Sequence, residues 1–351
     1  MNGVGELLQV VRRAQGLTQE DLAARAQVTQ AALSRYEHDL RTPEPDVMDR
    51  LAAALGITPS LLTRSTRIEG GLAVGAHMRR RATARPGAWR ELEAQLNMVR
   101  LHASRLMDEV MVRADLHVPA FDPIDIPPSS AARMVRAQWR LPVGPVHSVA
   151  TWLDAAGVIV VEQDFGSSRV DGLSQWSDST AVILLNSALP TDRKRLTLAH
   201  ELGHLALHSS YADEDVEGQA NEFAAEFLMP AIEIAPMLRQ RLTLERLVNL
   251  KRHWGVSMQS LIERAHGLGT LTSTQRSTLY KALSARGIRS HEPVSGELVP
   301  EVPRLTQHIS ESLTKRGLSA TEIAEIAGYA SAEANTLLPM PSQQPQHLQL
   351  V

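Results

Sequence analysis

Apolar positions change their spacing along the chain, and each change marks an element. Leu7, Leu8, Val11 and Ala14 share one face of a first helix. Thr18 caps a second helix that carries Leu22 and Ala23, Ala26-Gln27-Val28 makes a tight turn, and Thr29 caps a third. Thr42-Pro43-Glu44-Pro45 breaks the chain, and Val47 to Leu55 predicts a further helix stopped by Gly56. Ile57 to Leu62 closes this group. Trp89 to Val112 is amphipathic through Leu92, Leu96, Val99, Leu106 and Val110, as for a dimer seam or a packed arm. Pro119 to Pro128 predicts an extended connector. Helical spacing resumes over Ala131–Trp139 and Val149–Ala156, then gives way to a β-branched run, Gly157 to Glu162, that predicts a buried strand. Asp171-Gly172 predicts a turn, and Thr180 to Asn186 a second strand.

Thr191 to His208 follows without a proline, and its start is marked by Pro190, Thr191 and Asp192. Leu196, Leu198, Leu202, Leu205 and Leu207 give it apolar packing. Within it stands His200-Glu201-Leu202-Gly203-His204. Positions i and i+4 of a helix lie one turn apart on one face, so His200 and His204 can turn an imidazole nitrogen towards the same ion. Glu201 lies on the flank of that face, where a carboxylate serves as general base without taking a ligand position. A third ligand is needed. The next helix, Glu217 to Leu228 ahead of Pro230, offers Glu217, Glu222 and Glu226. Glu217 shares a face with Ala220, Asn221 and Ala224, small residues with a polar partner for a carboxylate. Glu222 and Glu226 read as a solvated face.

Helical spacing continues through Ile232–Leu238, Leu244–Trp254 and Ser257–Leu268, with Trp254 and Leu261 in the core. Residues 270–338 form a smaller helical segment with a Pro-rich joint at 293–303. Here Gly317-Leu-Ser-Ala-Thr-Glu-Ile-Ala324 echoes Gly16-Leu-Thr-Gln-Glu-Asp-Leu-Ala23, as in a degenerate second helix-turn-helix or an ordinary helix pair. The Gln- and Pro-rich tail from Pro339 is expected to be disordered.

The length, 351 residues, suits two or three domains. A net charge of −3 excludes a bulk polyanion binder but leaves room for a local basic surface, such as Met78-Arg-Arg-Arg81. The absence of cysteine removes thiolate metal sites and suits a reducing cytoplasm. No apolar run approaches a membrane span, and the first residues lack signal-peptide character. A cytoplasmic protein without a membrane partner is expected.

The run His-Glu-Leu-Gly-His-Leu-x-Leu-His at 200–208, followed by Glu-x-Gln-Ala-Asn-x-Phe-Ala-Ala-x-x-Leu-Met-Pro at 217–230, resembles the ImmA/IrrE family of metallo-endopeptidases. Arg-x-x-Trp-x-Leu-Pro-x-Gly-Pro at 136–145 extends the likeness. The resemblance implies His200, His204 and Glu217 as ligands, Glu201 as catalytic base, and His208 as a packed or hydrogen-bonding histidine. It implies Zn²⁺, although Mn²⁺ or Fe²⁺ also suits two histidines and a carboxylate. An oxyanion donor is also needed, with Tyr211 as candidate. The second strand, lying just before the metal helix, could pair an extended peptide along its edge.

Residues 5–64 resemble the XRE (phage-repressor-like) helix-turn-helix domain. That resemblance implies Gln19 at the phosphate backbone, Gln30, Ala31 and Ser34 towards the major groove, and Arg35 near the backbone, with Thr29 at the start of the recognition helix. The expected fold is mainly α with a small β-sheet. It comprises an all-α helix-turn-helix domain (1–66), a helical arm (67–128), an α+β zincin-like metallopeptidase domain (129–270), a helical C-terminal segment (271–338) and a tail (339–351). The expected function is a DNA-binding transcriptional regulator whose zinc endopeptidase cleaves a helix-turn-helix repressor controlling stress or mobile-element genes. The alternative is a non-catalytic regulator or antitoxin-like protein that keeps the metallopeptidase fold for sensing or stability. Partners would be a double-stranded operator, the protein substrate and, because one domain binds weakly, a second copy in a homodimer.

Overall fold

Leu7, Leu8 and Val11 bury one face of the first helix, α1 (Val4–Ala14), as the spacing requires. The computed structural model describes residues 4–63, 86–110, 114–167, 169–177, 179–208 and 215–339. The basic run at 78–81, Tyr211 and the tail beyond 339 lie outside them. After α1 come α2 (Gln19–Arg25), α3 (Gln30–Glu37), α4 (Pro45–Ala54), α5 (Pro59–Leu62) and the long α6 (Pro86–Glu109). Then follow α7 (Pro128–Gln138), α8 (Val149–Ala155), β1 (Ile159–Gln163), β2 (Gly172–Ser177) and β3 (Thr180–Asn186). Helices α9 (Thr191–Leu207), α10 (Val216–Leu228), α11 (Ala231–Leu238), α12 (Leu244–Trp254), α13 (Met258–Gly267) and α14 (Ser273–Ala285) come next, and α15 (Leu305–Lys315) and α16 (Ala320–Ile326) close the series.

Contacts divide the chain into two units, neither continuous in sequence. The first combines residues 1–68, 93–112 and 304–351; the second combines 69–92 and 113–303. The expected C-terminal segment at 271–338 is therefore shared between them: α14 lies in the second unit and α15 and α16 in the first. Apolar faces explain the division, since Leu283 of α14 joins the core of the second unit.

In the first unit, α1 to α5 pack Leu8, Leu22, Leu33, Leu51 and Leu61 into one core with Leu101 of α6. Thr18 and Asp21 form a capping box at α2, and Thr29 Oγ1 accepts the Ala32 amide at α3. Between them Gln27 takes a φ of 55°, which makes the tight turn. Residues 56–58 pair with 328–330: Thr58 N donates to Gly328 O (2.9 Å), Ala330 N donates to Gly56 O (3.0 Å), and Ile57 faces Tyr329. His102 of α6 is fully buried, stacked on Tyr329 at 3.7 Å, and its Nδ1 donates to Ala327 O at 2.7 Å.

Burial brings the His102 pKa down to about 4. The unfolded chain binds that proton at an ordinary histidine value near ~6.5, so between the two values the unfolded state holds more protons and stability rises with pH. The neutral ring contributes fully above pH ~6.5, and about 3 kcal/mol is lost as pH falls through 4. Urea unfolding of the first unit, followed between those values, should lose this slope in His102→Gln. An unchanged slope in the variant would reject the assignment.

In the second unit the sheet order is β1-β3-β2, with β1 parallel and β2 antiparallel to β3. Every residue of the central β3 is buried. The Asp171-Gly172 step is not the expected turn, because Gly172 opens β2 and pairs with Leu185. This strand escapes the apolar pattern: its Ser174, Gln175 and Ser177 are polar yet buried. Since β3 has neighbours on both sides, it cannot offer an edge to a peptide; β1 and β2 are the outer strands. Helix α9 packs on β2, β3 and α10, with Leu198, Leu202 and Leu205 in the core.

Candidate metal centre

Helix α9 places its polar residues by what holds its start. Pro190 precedes the first turn, and Asp192 in that turn meets the buried Lys251 ammonium at 2.6 Å. One turn on, the Arg195 guanidinium donates to Val146 O and, at 3.1 Å, to His147 O. Burial lowers the Arg195 pKa from its ordinary value, with Glu301, 3.6 Å away, opposing the shift. With its start anchored on one side, α9 presents His200 and His204 on another face, their Nε2 atoms 3.0 Å apart.

Glu217 arrives from the first turn of α10, whose N-cap Asp215 accepts the Gly218 amide. Its Oε1 lies 3.3 Å from His204 Nε2 and its Oε2 3.7 Å from His200 Nε2. The three residues offer ligand atoms all within 4.8 Å of one another. A tetrahedral ion with metal–ligand bonds of ~2.0–2.1 Å holds its ligands about 3.3 Å apart, so this donor set fits one zinc-sized cation. Two imidazoles and a carboxylate suit zinc and admit other divalent metals.

The outer partners decide which ring nitrogen is left to face an ion. His200 Nδ1 lies 3.0 Å from Asn221 Oδ1, an acceptor, so Nδ1 carries the proton and Nε2 keeps its lone pair. His204 Nδ1 lies 3.0 Å from His208 Nδ1, and His208 Nε2 lies 2.7 Å from Gln219 Oε1. A single tautomer order satisfies this chain: His208 donates through Nε2 to the amide oxygen, and its Nδ1 accepts from His204. Both ligand nitrogens are thereby left unprotonated. Asn221, expected to serve a carboxylate, serves His200 instead, and Gln219 acts through His208.

Glu201 is 1% exposed, and Ser174 Oγ of β2 donates to its Oε2 at 2.6 Å. The strand comes this close because Gly172 has no side chain. A Cβ there would lie 2.7 Å from Thr197 Cγ2 and 3.3 Å from Glu201 Oε1. Trp176 Nε1 donates to Leu205 O at 3.0 Å and holds the far end of β2 against α9. Ser174 was not legible as a site residue, since nothing in its own neighbourhood marks a strand. Glu222 is exposed, but Glu226 is not the solvated group expected: it is 2% exposed, bonded to Arg264 and 3.3 Å from Arg133.

In the first unit, Thr29, Gln30, Ala31 and Arg35 are exposed, and Gln19 and Ser34 are partly buried. Gln30 Nε2 donates to Gln19 Oε1 (2.9 Å), and Gln19 Nε2 donates to Glu37 Oε2 (2.8 Å). Glu37 in turn pairs with Arg12 at 2.5 Å, a buried contact beneath the start of α2 and the end of α3. The two glutamines are thus tied to each other and to the core.

Residues 153–266 match the family model of the peptidase family M78, described as the IrrE N-terminal-like domain. Residues 8–62 match a helix-turn-helix model. No curated protein matches the chain. Among the described residues, no helix is long and apolar enough to cross a membrane. The first match spans His200, Glu201, His204, Glu217 and β2; the second spans α2, the tight turn and α3. One chain thus fuses an XRE-type helix-turn-helix domain at 8–62 to an ImmA/IrrE-like, metallopeptidase-type domain at 153–266.

Proposed function

We propose that this chain is a DNA-binding regulator carrying a zinc-dependent endopeptidase that cuts a protein substrate. One observation carries the reading: His200, His204 and Glu217 converge, and Glu201, next along the helix, takes a hydrogen bond from Ser174 of β2. A purely structural site has no use for that second, separately positioned carboxylate.

Zinc bound at these donors would supply Lewis acidity, which polarises a peptide carbonyl and makes water acidic near neutral pH. Glu201 takes the proton from the attacking water and delivers it to the departing amine. Ser174 Oγ, donating to Glu201 Oε2, orients the carboxylate for that proton transfer. The close seat of α9 on β2 and β3 excludes bulk water from behind the carboxylate. The substrate's extended backbone pairs with the outer edge of β2, the strand that reaches Glu201. Gln30, Ala31 and Ser34 meet base edges in the major groove, while Gln19 and Arg35 meet phosphates. The protein substrate is a helix-turn-helix repressor, and its cleavage changes the genes that it controls.

The test compares new protein N-termini in cells producing the wild type or Glu201→Gln at equal levels. Cleavages found only with the wild type are expected, and they name the substrate. Identical N-termini under resting and DNA-damage conditions would favour a regulator whose metal site does not cut.

A further inference from the structure

The echo between the two ends of the chain extends far beyond its eight residues. Helices α1 and α15 both have 11 residues, and α2 and α16 both have 7. Each position in the second pair lies 301 residues after its counterpart in the first. The backbone bonds repeat at the same offset. Gly16 N donates to Arg13 O and Gly317 N to Thr314 O, at 3.0 and 2.9 Å. Leu17 N donates to Arg12 O and Leu318 N to Leu313 O, at 3.1 and 3.2 Å. Val28 N donates to Ala23 O and Tyr329 N to Ala324 O, at 3.0 and 2.9 Å. Both second helices begin with a capping box, Thr18 with Asp21 and Ser319 with Glu322. Leu22 and Ala23 are buried, and so are Ile323 and Ala324. Even the positive φ at Gln27 (55°) recurs at Gly328 (89°).

The correspondence stops where the recognition helix would begin. Thr29, whose hydroxyl caps α3, is matched by Ala330, which has no side-chain acceptor. The Ala330 amide instead donates to Gly56 O, and residues 331–334 form a turn rather than a helix. The polar set is lost with the helix: Gln19 and Gln30 become Ala320 and Ser331, and the Arg12–Glu37 pair becomes Leu313 and Leu338, both buried. The change from glutamine to glycine at 328 permits close packing, because a Cβ there would stand 3.2 Å from Leu61 Cδ1 and 3.0 Å from Arg105 Cδ. The repeat has thus exchanged a DNA-reading surface for one that covers Gly56, Ile57 and Leu61. It leaves Thr29, Gln30, Ala31 and Arg35 exposed.

We propose that residues 305–338 are a second helix-turn-helix that has lost its recognition helix and serves as the internal partner of the first, so that the chain engages DNA as a monomer over one half-site. This rests on α3 being the DNA reader. The partner is chosen by what is already in place: the backbone edge at 56–58 and the apolar face beside it are filled from within the chain.

The test measures the mass of the full chain by sedimentation at micromolar concentrations, alone and with a duplex selected by that chain from a random pool. A 38.5 kDa monomer, one chain per duplex and protection of a single major-groove face are expected. A dimer protecting two half-sites about one helical turn apart would overturn the proposal. Failure to bind any duplex would defeat the reading of α3 instead, and the mass of the free chain would still decide the internal-partner claim. Opening the covered face with Tyr329→Ala plus Leu337→Ala should produce concentration-dependent self-association. If that variant does not fold, Ala330→Pro leaves Tyr329 and Leu337 in place, replaces the amide that bonds Gly56 O with a ring, and should do the same. Variants that fold and remain strictly monomeric at all concentrations would reject the internal partner.

Discussion

Lys251→Met is expected to cost the second unit about 3–5 kcal/mol, among the largest effects available from one substitution outside the metal ligands. The Lys251 ammonium is 0% exposed and lies 2.6 Å from Asp192 Oδ2, 2.8 Å from Glu292 Oε2 and 2.8 Å from Ser295 Oγ. Methionine fills much of the same volume, so little of the loss comes from a cavity. The cost comes from two carboxylates left facing one another without their cation. Glu292 keeps the Met258 and Gln259 amides as donors at 2.6 and 3.1 Å, but Asp192 loses its charged partner at the first turn of the metal helix. Denaturant unfolding followed in the second unit should show a lower midpoint at unchanged slope, and Asp192→Asn combined with Lys251→Met should recover part of the loss. A shift below about 1 kcal/mol in the single variant would mean that this ion cluster does not hold the helix.

Such a cluster explains why parts of the molecule were legible in the sequence and others were not. Local signals located α9 and its neighbours, because proline, capping residues and leucine spacing all lie within a few positions of what they determine. His200 and His204 needed only the helical period to be placed side by side. Glu217 needed the resemblance to separate it from Glu222 and Glu226, since all three occupy one polar-rich helix. Glu226 reads as a solvated group in its own segment because its partner Arg264 lies 38 residues further on, and no local pattern announces a buried ion pair closed over that distance. Ser174 and Lys251 were hidden for the same reason. Each looks like a surface residue in its own segment and is buried only by an element from elsewhere. β2 failed as a strand by pattern because both its faces are covered, so its polar residues do not alternate with apolar ones. The echo at 317–324 was visible, but its meaning depended on hydrogen bonds and on Ala330, where a missing hydroxyl ends the likeness.

The proposed metal ligands allow the sharpest separation of roles. The wild type is expected to bind one Zn²⁺ per chain, and a concentration 100 times the dissociation constant should stabilise the second unit by about 2.7 kcal/mol. His204→Ala and Glu217→Ala each remove a donor from a three-residue set, so both should abolish stoichiometric zinc in equilibrium dialysis and the zinc-dependent rise in melting temperature. His208→Ala leaves all three donors in place and removes only the acceptor that holds the His204 proton on Nδ1. Its expected loss is on the order of 10–100-fold in affinity, with stoichiometry kept at saturating metal. Glu201→Gln should bind zinc as the wild type does, because its side chain bonds Ser174 and stands outside the converging donors. The ordering of these variants carries more than any one of them. Undiminished affinity in Glu217→Ala would mean that the third donor lies elsewhere, while a loss in Glu201→Gln equal to that in His204→Ala would make Glu201 a ligand and leave the site without its base.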